Sequence, residues 1–455
     1  MKTLPTFRRY EPNQLLLLPP DMTDWLPADH LVYFVRDVVK QMDLSGIYDG
    51  YDGSQGGYPP YHPEMMVSLL IYAYSVGIPG SRQIEKATYE SVPFRVLTAD
   101  QHPDHDTVAE FRRRHLKVLA SLFVQVLRLC RKAGLIKLGH VSLDGTKVHA
   151  NASKHKAMSY GRMQKAEQEL EGEVQRLLKE ADAKDEEEDQ RYGKGRRGDE
   201  LPEELRFKES RLAKIREAKE ALEEEARKEA QQKRAEQEKK KEDRDPRGRP
   251  AKVPTDEPDP KAQRNFTDPD SRIMKDGATK SFEQCYNCQI AVDGDSQIIV
   301  ATGVTQEAND KRQLKPLLET VKRHLHKKPK QVSSDSGYYS EDNVSFLGVE
   351  GIDGYIATDR VKHTSKVIPS RRGRLPQWAT VKDRMARKLQ TVKGRRLYGK
   401  RKGIVEPVFG QIKHVRRFRQ FLLRGIGKVT SEWELICLGH NLLKLFRSGW
   451  SPARA

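Results

Sequence analysis

A strand that the chain begins and then abandons is the feature that most narrows its fold. The segment HVSLDGTKVHA (140–150) alternates Val141 and Leu143 on one side and carries Asp144 and Gly145 at its polar end. A lone strand leaves its backbone N–H and C=O groups unpaired, so this one needs partners from further along the chain. The next strand-like segments are FEQCYNCQIAVD (282–293) and SQIIVATGVTQ (296–306), which Gly294-Asp295 is expected to join as a β-hairpin. A helix over about 309–326, strands in KQVSSDSG (330–337) and GIDGYIATD (351–359), and helices over 379–393, 400–420 and 431–447 follow. This order predicts an α/β unit with a mixed five-stranded sheet and flanking helices, interrupted after its first strand.

The interruption has its own character. From Ala157 to about Lys241 the chain is highly charged, with Leu170, Val174, Leu177 and Ala181, then Leu212, Ile215 and Leu222, at helical spacing. That pattern predicts a charged helical hairpin over 157–242, with the polar, Gly-containing stretch 185–202 as its tip. Residues 243–275, rich in Pro, Arg and Asp, read as a linker or extended arm, because proline suits neither a helix interior nor a central ladder. Ahead of the first strand, residues 1–139 read as an all-α domain. In it Pro63 opens one helix, Gly77-Ile78-Pro79-Gly80 breaks it, and Ser81 is expected to cap the next. A helix, tight turn and helix can read DNA, or can be an ordinary α-hairpin in a core.

The net charge of +18 points to a polyanionic partner; nucleic acid fits best, because neutralised phosphates release condensed counterions, and an anionic membrane surface or an acidic protein would also fit. Four cysteines, Cys130, Cys285, Cys288 and Cys437, exclude a disulfide framework and suit a reducing cytosol. The four leucines near the N-terminus are stopped by two prolines, too short a block for a signal-peptide core, and the apolar run 65–80 is too short to span a bilayer. A cytoplasmic, nucleoid-associated protein with no membrane partner is expected.

Carboxylates at strand ends are natural ligands for metal ions, because a rigid sheet edge fixes them. Asp144 in LDGT and Asp335 in SSDSGYYS are two such acids, each followed by small residues that let a phosphate backbone approach. Glu406, in the basic segment YGKRKGIVEPVFGQIK with Lys402 four residues before it and Lys413 seven after, is a third. Pro407 predicts that Glu406 stands at a helix start or a kink. Cys285 and Cys288 have metal-like spacing but lack a second pair, so packing is expected of them. His149 and Asn151, and the loop residues His102, His105 and Asp106, suit solvated or capping roles. The run 416–428, with Phe418 and Phe421 among arginines, reads either as a DNA-contacting surface or as partly core.

Taken in order, LDGTKVHANAS, QCYNCQIAVD, VTQEAND, SDSGYYSEDN and RMARKLQTVKGRRLYGKRKGIVEPVFGQIK resemble the segments of DDE-type insertion-sequence transposases. The N-terminal FRRYEPNQLLLLPPDMTDWLPADHL and YPPYHPEMMVSLLIYAY look like that family's N-terminal helical domain. The resemblance implies a ribonuclease H-like catalytic domain over 140–156 and 276–448, and a DNA-binding and assembly domain over 1–139. It implies that Asp144, Asp335 and Glu406 are the catalytic acids and hold two Mg²⁺ ions, for which Mn²⁺ substitutes. Tyr398, Arg401, Lys402 and Lys413 fall in the family's DNA-contacting positions, with either Arg401 or Lys402 as the phosphate contact. The implied partners are double-stranded DNA, as terminal inverted repeats and as target, and a second copy of the chain in a paired-end complex. A nuclease of the same fold without strand joining, and a catalytically inactive transposase-derived DNA-binding protein, are the alternatives. Asn309 and Asp310 match the family segment after the third strand, and equally suit capping of the helix that follows.

Overall fold

The computed structural model describes residues 22–51, 60–192, 203–241, 253–275, 281–359, 373 and 375–451. The first 21 residues, residues 193–202 of the expected tip and 242–252 of the expected linker lie outside these. Helices α1 (Leu31–Lys40), α2 (Ser45–Tyr48), α3 (Pro63–Val76), α4 (Ser81–Glu90), α5 (Val92–Thr98) and α6 (His105–Lys132) precede the first strand. Asp104 caps α6 by accepting from the Thr107 N–H at 2.7 Å, a contact of about 1 kcal/mol. Between α3 and α4 the chain turns through Gly77 in the left-handed region (φ 82°), and Gly80, rather than the expected Ser81, takes the N-cap position of α4.

The main sheet is mixed and has six strands. β1 (His140–His149) pairs antiparallel with β5 (Phe282–Asp293) from Val141 opposite Asp293 to His149 opposite Cys285. On its other side β1 runs parallel to β7 (Gln331–Ser334), which in turn runs parallel to β8 (Asp353–Ile356). Beyond β5 lie β6 (Ile299–Thr305) along one half of its length and β4 (Arg272–Lys275) along the other. Two short strands, β2 (Ala157–Ser159) and β3 (Gln263–Asn265), form a separate antiparallel pair. The Pro-rich segment is therefore only in part a linker, since β3 and β4 both lie within 243–275. Its prolines fall outside the two strands, and β4 sits at a sheet edge, where a short pairing suffices.

Helices α7 (Tyr160–Tyr192) and α8 (Glu203–Lys241) occupy the gap between β2 and β3. They pack antiparallel: Tyr160 donates to Glu223, Glu167 meets Lys219 and Arg216, and Glu173 meets Lys208. Met163, Leu170, Leu212, Ile215, Ala218 and Leu222 form an apolar seam that is separate from the main core.

After β6 come α9 (Leu314–Leu325), α10 (Glu341–Val349), α11 (Val381–Gln390), α12 (Val392–Gly410) and α13 (Ile426–Arg447). The N-terminal helices and the sheet share one apolar core, in which Trp433 of α13 is fully buried and donates Nε1–H to the Gln289 carbonyl. Three sequence expectations change. The β5–β6 connection is not a two-residue turn, because Gly294 donates to the His140 carbonyl at 2.8 Å and the reversal falls at Gln297 (φ 58°). The helix expected from 309 begins at Leu314. Pro407 marks neither a start nor a break, since α12 runs through it and then loosens into a π-turn at Gln411–Val415. Lacking an N–H, Pro407 leaves the Gly403 carbonyl without its helical donor, and the Gln297 side chain supplies one at 2.8 Å.

Candidate active site

The register of the parallel strands builds the site. Ser142 of β1 lies opposite Ser333 of β7, so two residues on Asp144 and Asp335 come level on neighbouring strands, which run about 4.8 Å apart. Asp335 leaves β7 as the cap of a short 3₁₀ turn, its Oδ1 accepting from the Gly337 N–H at 2.9 Å. Asp144 accepts from the Gly145 N–H at 2.9 Å. A third carboxylate joins them from the loop after β6: the position that a Cβ on Gly337 would occupy is 3.0 Å from both Asp310 Oδ2 and Asp335 Oδ1.

The charges are held under tension. Burial pushes the Asp144 carboxyl up to about 6, and the negative charges of Asp335 and Asp310 push the same way against the pull of Arg401. Arg401 Nη1 reaches Asp144 Oδ2 at 3.0 Å, with both side chains more than four-fifths buried. Its guanidinium also lies over the Tyr398 ring, 5.9 Å from the centroid. Lys413 donates Nζ to the Lys147 carbonyl at 2.5 Å, and Lys147 donates its own Nζ to the Ala308 carbonyl at 2.8 Å.

Asp144, Asp335, Tyr398, Arg401 and Lys413 thus gather where β7 ends beside the middle of β1, which runs on past Asp144 to His149 instead of ending at the acid. Lys402 and Glu406 stand on the exposed flank of α12, away from the buried stripe of Arg401, Ile404, Val405 and Val408. Glu406 is not among the charges that act most strongly on Asp144. Of the two basic residues weighed for one role, Arg401 is engaged with the acid and Lys402 faces solvent. Among the described residues, no three His, Cys, Asp or Glu side chains already stand in a metal-holding cluster.

Sequence reasoning missed a polar layer beneath the acids. Asp310 Oδ1 accepts from Asn287 Nδ2 at 2.8 Å and from Gln289 Nε2 at 2.6 Å, and the Tyr338 hydroxyl donates to Gln289 Oε1. Asn287, Gln289 and Tyr338 are fully buried. The available signal was Asn287 and Gln289, two amides two residues apart and hence on one face of the central strand. The other candidates are structural. Cys285 and Cys288 are buried in β5, Asn151 donates to the Leu422 carbonyl at 2.7 Å, and Phe418 and Phe421 are core residues while Arg417 and Arg419, on either side of Phe418, are exposed. His105 pairs with Glu85 at 2.8 Å.

Two family models match the chain: a transposase domain (DUF772) over residues 20–114 and a transposase DDE domain over residues 363–446. The first spans the N-terminal helices up to the middle of α6, and the second spans α11, α12 and most of α13, including Arg401 and Glu406. The chain is therefore a transposase. Its two domains, in this order, make it a DDE-type insertion-sequence transposase. No curated protein and no solved structure matches it. Among the described residues, no helix is long and apolar enough to cross a membrane.

Proposed function

We propose that this transposase cuts and joins DNA at the ends of its element by divalent-metal-dependent phosphoryl transfer, with Asp144 and Asp335 at the centre of the site. The observation that carries this reading is the pair of acids brought level on neighbouring parallel strands, both crowded by a further carboxylate. Sheet order supports a ribonuclease H-like catalytic unit: three antiparallel strands, β6, β5 and β1, continue into the parallel β7 and β8.

The donor chemistry fits Mg²⁺ or Mn²⁺, since carboxylate oxygens are hard ligands and Gly145 and Gly337, lacking a side chain, leave the space beside the two acids to the Asp310 carboxylate. Mg²⁺ takes one or two protein carboxylates and completes its shell with water and substrate phosphate, so a closed protein cage is unnecessary. Bound divalent ions would lower the pKa of the attacking hydroxyl and stabilise the leaving oxygen. Asp144 and Asp335 hold the ligand oxygens on the rigid sheet, and Glu406 supplies a third carboxylate from the solvent side of α12. Arg401 neutralises part of the acidic charge until DNA arrives. Lys402 and Lys413 steady phosphates on either side of Glu406, while Tyr398 supports the Arg401 guanidinium.

Around this centre the reading assigns residues 1–139 to DNA binding and assembly, and 140–156 with 276–448 to catalysis. The paired helices within 157–242 form an inserted arm, tied back to the sheet through the remainder of 243–275. The partners are terminal inverted repeats and target DNA, bridged by a dimer of the chain. The exposed flank of α4, with Arg82, Gln83 and Lys86, suits phosphate contact. The test uses DNA carrying the native flanks of the gene with Mg²⁺ or EDTA. Metal-dependent breaks at the element's ends, with joined products on added target DNA, are expected. Specific binding with no breaks in either Mg²⁺ or Mn²⁺ would overturn the reading.

A further inference from the structure

We propose that Asp310 is a further ion-binding carboxylate of this centre, holding a divalent cation together with Asp335; the proposal rests on the reading of Asp144 and Asp335 as metal ligands. An aspartate just ahead of a helix ordinarily caps it, but here α9 begins four residues later, after Gln313, and no side chain caps it. The Asp310 carboxylate turns inward instead. Its Oδ1 is fixed by the amides of Asn287 and Gln289, both fully buried, and Gln289 is fixed in turn by Tyr338. Holding one oxygen in this way aims the other, and Oδ2 faces Gly337 beside Asp335 Oδ1.

Two glycines leave room for this carboxylate. A Cβ on Gly145, next to Asp144, would lie 2.9 Å from Asp310 Oδ1, and a Cβ on Gly337, two residues after Asp335, would lie 3.0 Å from Oδ2. Both acidic motifs therefore pack their glycine against the same side chain. Asp335 Oδ1 and Asp310 Oδ2 each lie 3.0 Å from that one point, so both oxygens border the same small space, into which a cation would draw them.

The test is Mn²⁺ binding to the full chain, without DNA, followed by water-proton relaxation for wild type, Asp310→Asn and Asp335→Asn. The side chain introduced by Asp310→Asn keeps an oxygen for the Asn287 and Gln289 amides, so the fold is expected to hold, as checked by the melting temperature. Roughly tenfold or greater weakening in both variants is the expected result. Wild-type affinity in Asp310→Asn with weakening in Asp335→Asn would overturn this proposal and leave the two-acid reading standing. Wild-type affinity in both would overturn that reading, and this proposal with it. Should Asp310→Asn not fold, Gly337→Ala carries the test, because its methyl wedges the two carboxylates apart with every acid present. Weakened binding supports the proposal, and unaltered binding overturns it.

Discussion

Replacing Asp144 with asparagine should alter the pH dependence of stability in a direction opposite to that of an ordinary carboxylate. In the folded chain Asp144 titrates at about 6, against 3.8 for an unperturbed aspartate, chiefly because it is buried and secondarily because Asp335 and Asp310 lie beside it. Below the unfolded value both states are protonated and the residue contributes nothing. Between the two values the folded state keeps a proton that the unfolded chain has released, so stability falls as pH rises and levels off above about 6. A displacement of about two pKa units corresponds to about 3 kcal/mol. The amide introduced by Asp144→Asn does not titrate, so subtracting the variant's unfolding free energy from the wild type's cancels the other acids. That difference, measured by urea titrations with tryptophan fluorescence in metal-free buffer, should fall by about 2–3 kcal/mol between pH 4 and pH 7. A flat difference, or one that rises with pH, would refute the claim that three carboxylates crowd a buried site.

Three other outcomes are expected. Gly77→Ala should destabilise the chain by about 2 kcal/mol or more in the same titration, because Gly77 is in the left-handed region and its new Cβ would meet the Arg416 carbonyl at 2.6 Å; an unchanged midpoint would contradict the packing of α3 on that segment. Excising residues 160–262 and joining Ser159 to Gln263, which already pair across β2 and β3, with an Asn-Gly turn should leave a folded core, since the α7–α8 seam is separate from it. Loss of cooperative melting in that variant would contradict the separation. DNA affinity should fall log-linearly as salt is raised, and a flat response would argue against phosphate contacts by the surplus of Lys and Arg.

The sheet strands were legible where alternation or continuous burial marked them, as in β1 and β5, and the acids were legible because each stands close to a glycine in a strand-like segment, although β1 runs on past Asp144 to His149 rather than ending at it, because β5 pairs with it along that whole length. What escaped depended on tertiary partners. β4 lies in a Pro-rich segment whose local composition disfavours strands, and its pairing with β5 decides its conformation. Pro407 argued for a helix boundary on local grounds, yet the side chain of Gln297, more than a hundred residues earlier, replaces the donor that proline lacks. Asp310 resembled a helix cap for the same reason: the amides that draw it inward belong to β5, on another part of the chain. The exposed flank of α12 was equally hidden, since Tyr398, Arg401, Lys402 and Glu406 lie close in sequence and only the buried stripe of the helix separates Arg401 from Lys402 and Glu406.

The most direct test is to measure binding and cleavage in one reaction, on DNA carrying the native element ends, with Mg²⁺, for wild type, Asp144→Ala and Asp335→Ala. Wild type should bind and cut, and both variants should bind with similar affinity and cut at least a thousandfold more slowly, on the order of 4 kcal/mol of lost transition-state stabilisation. Cleavage at the wild-type rate by either variant would contradict the assignment of the two level acids as the catalytic centre.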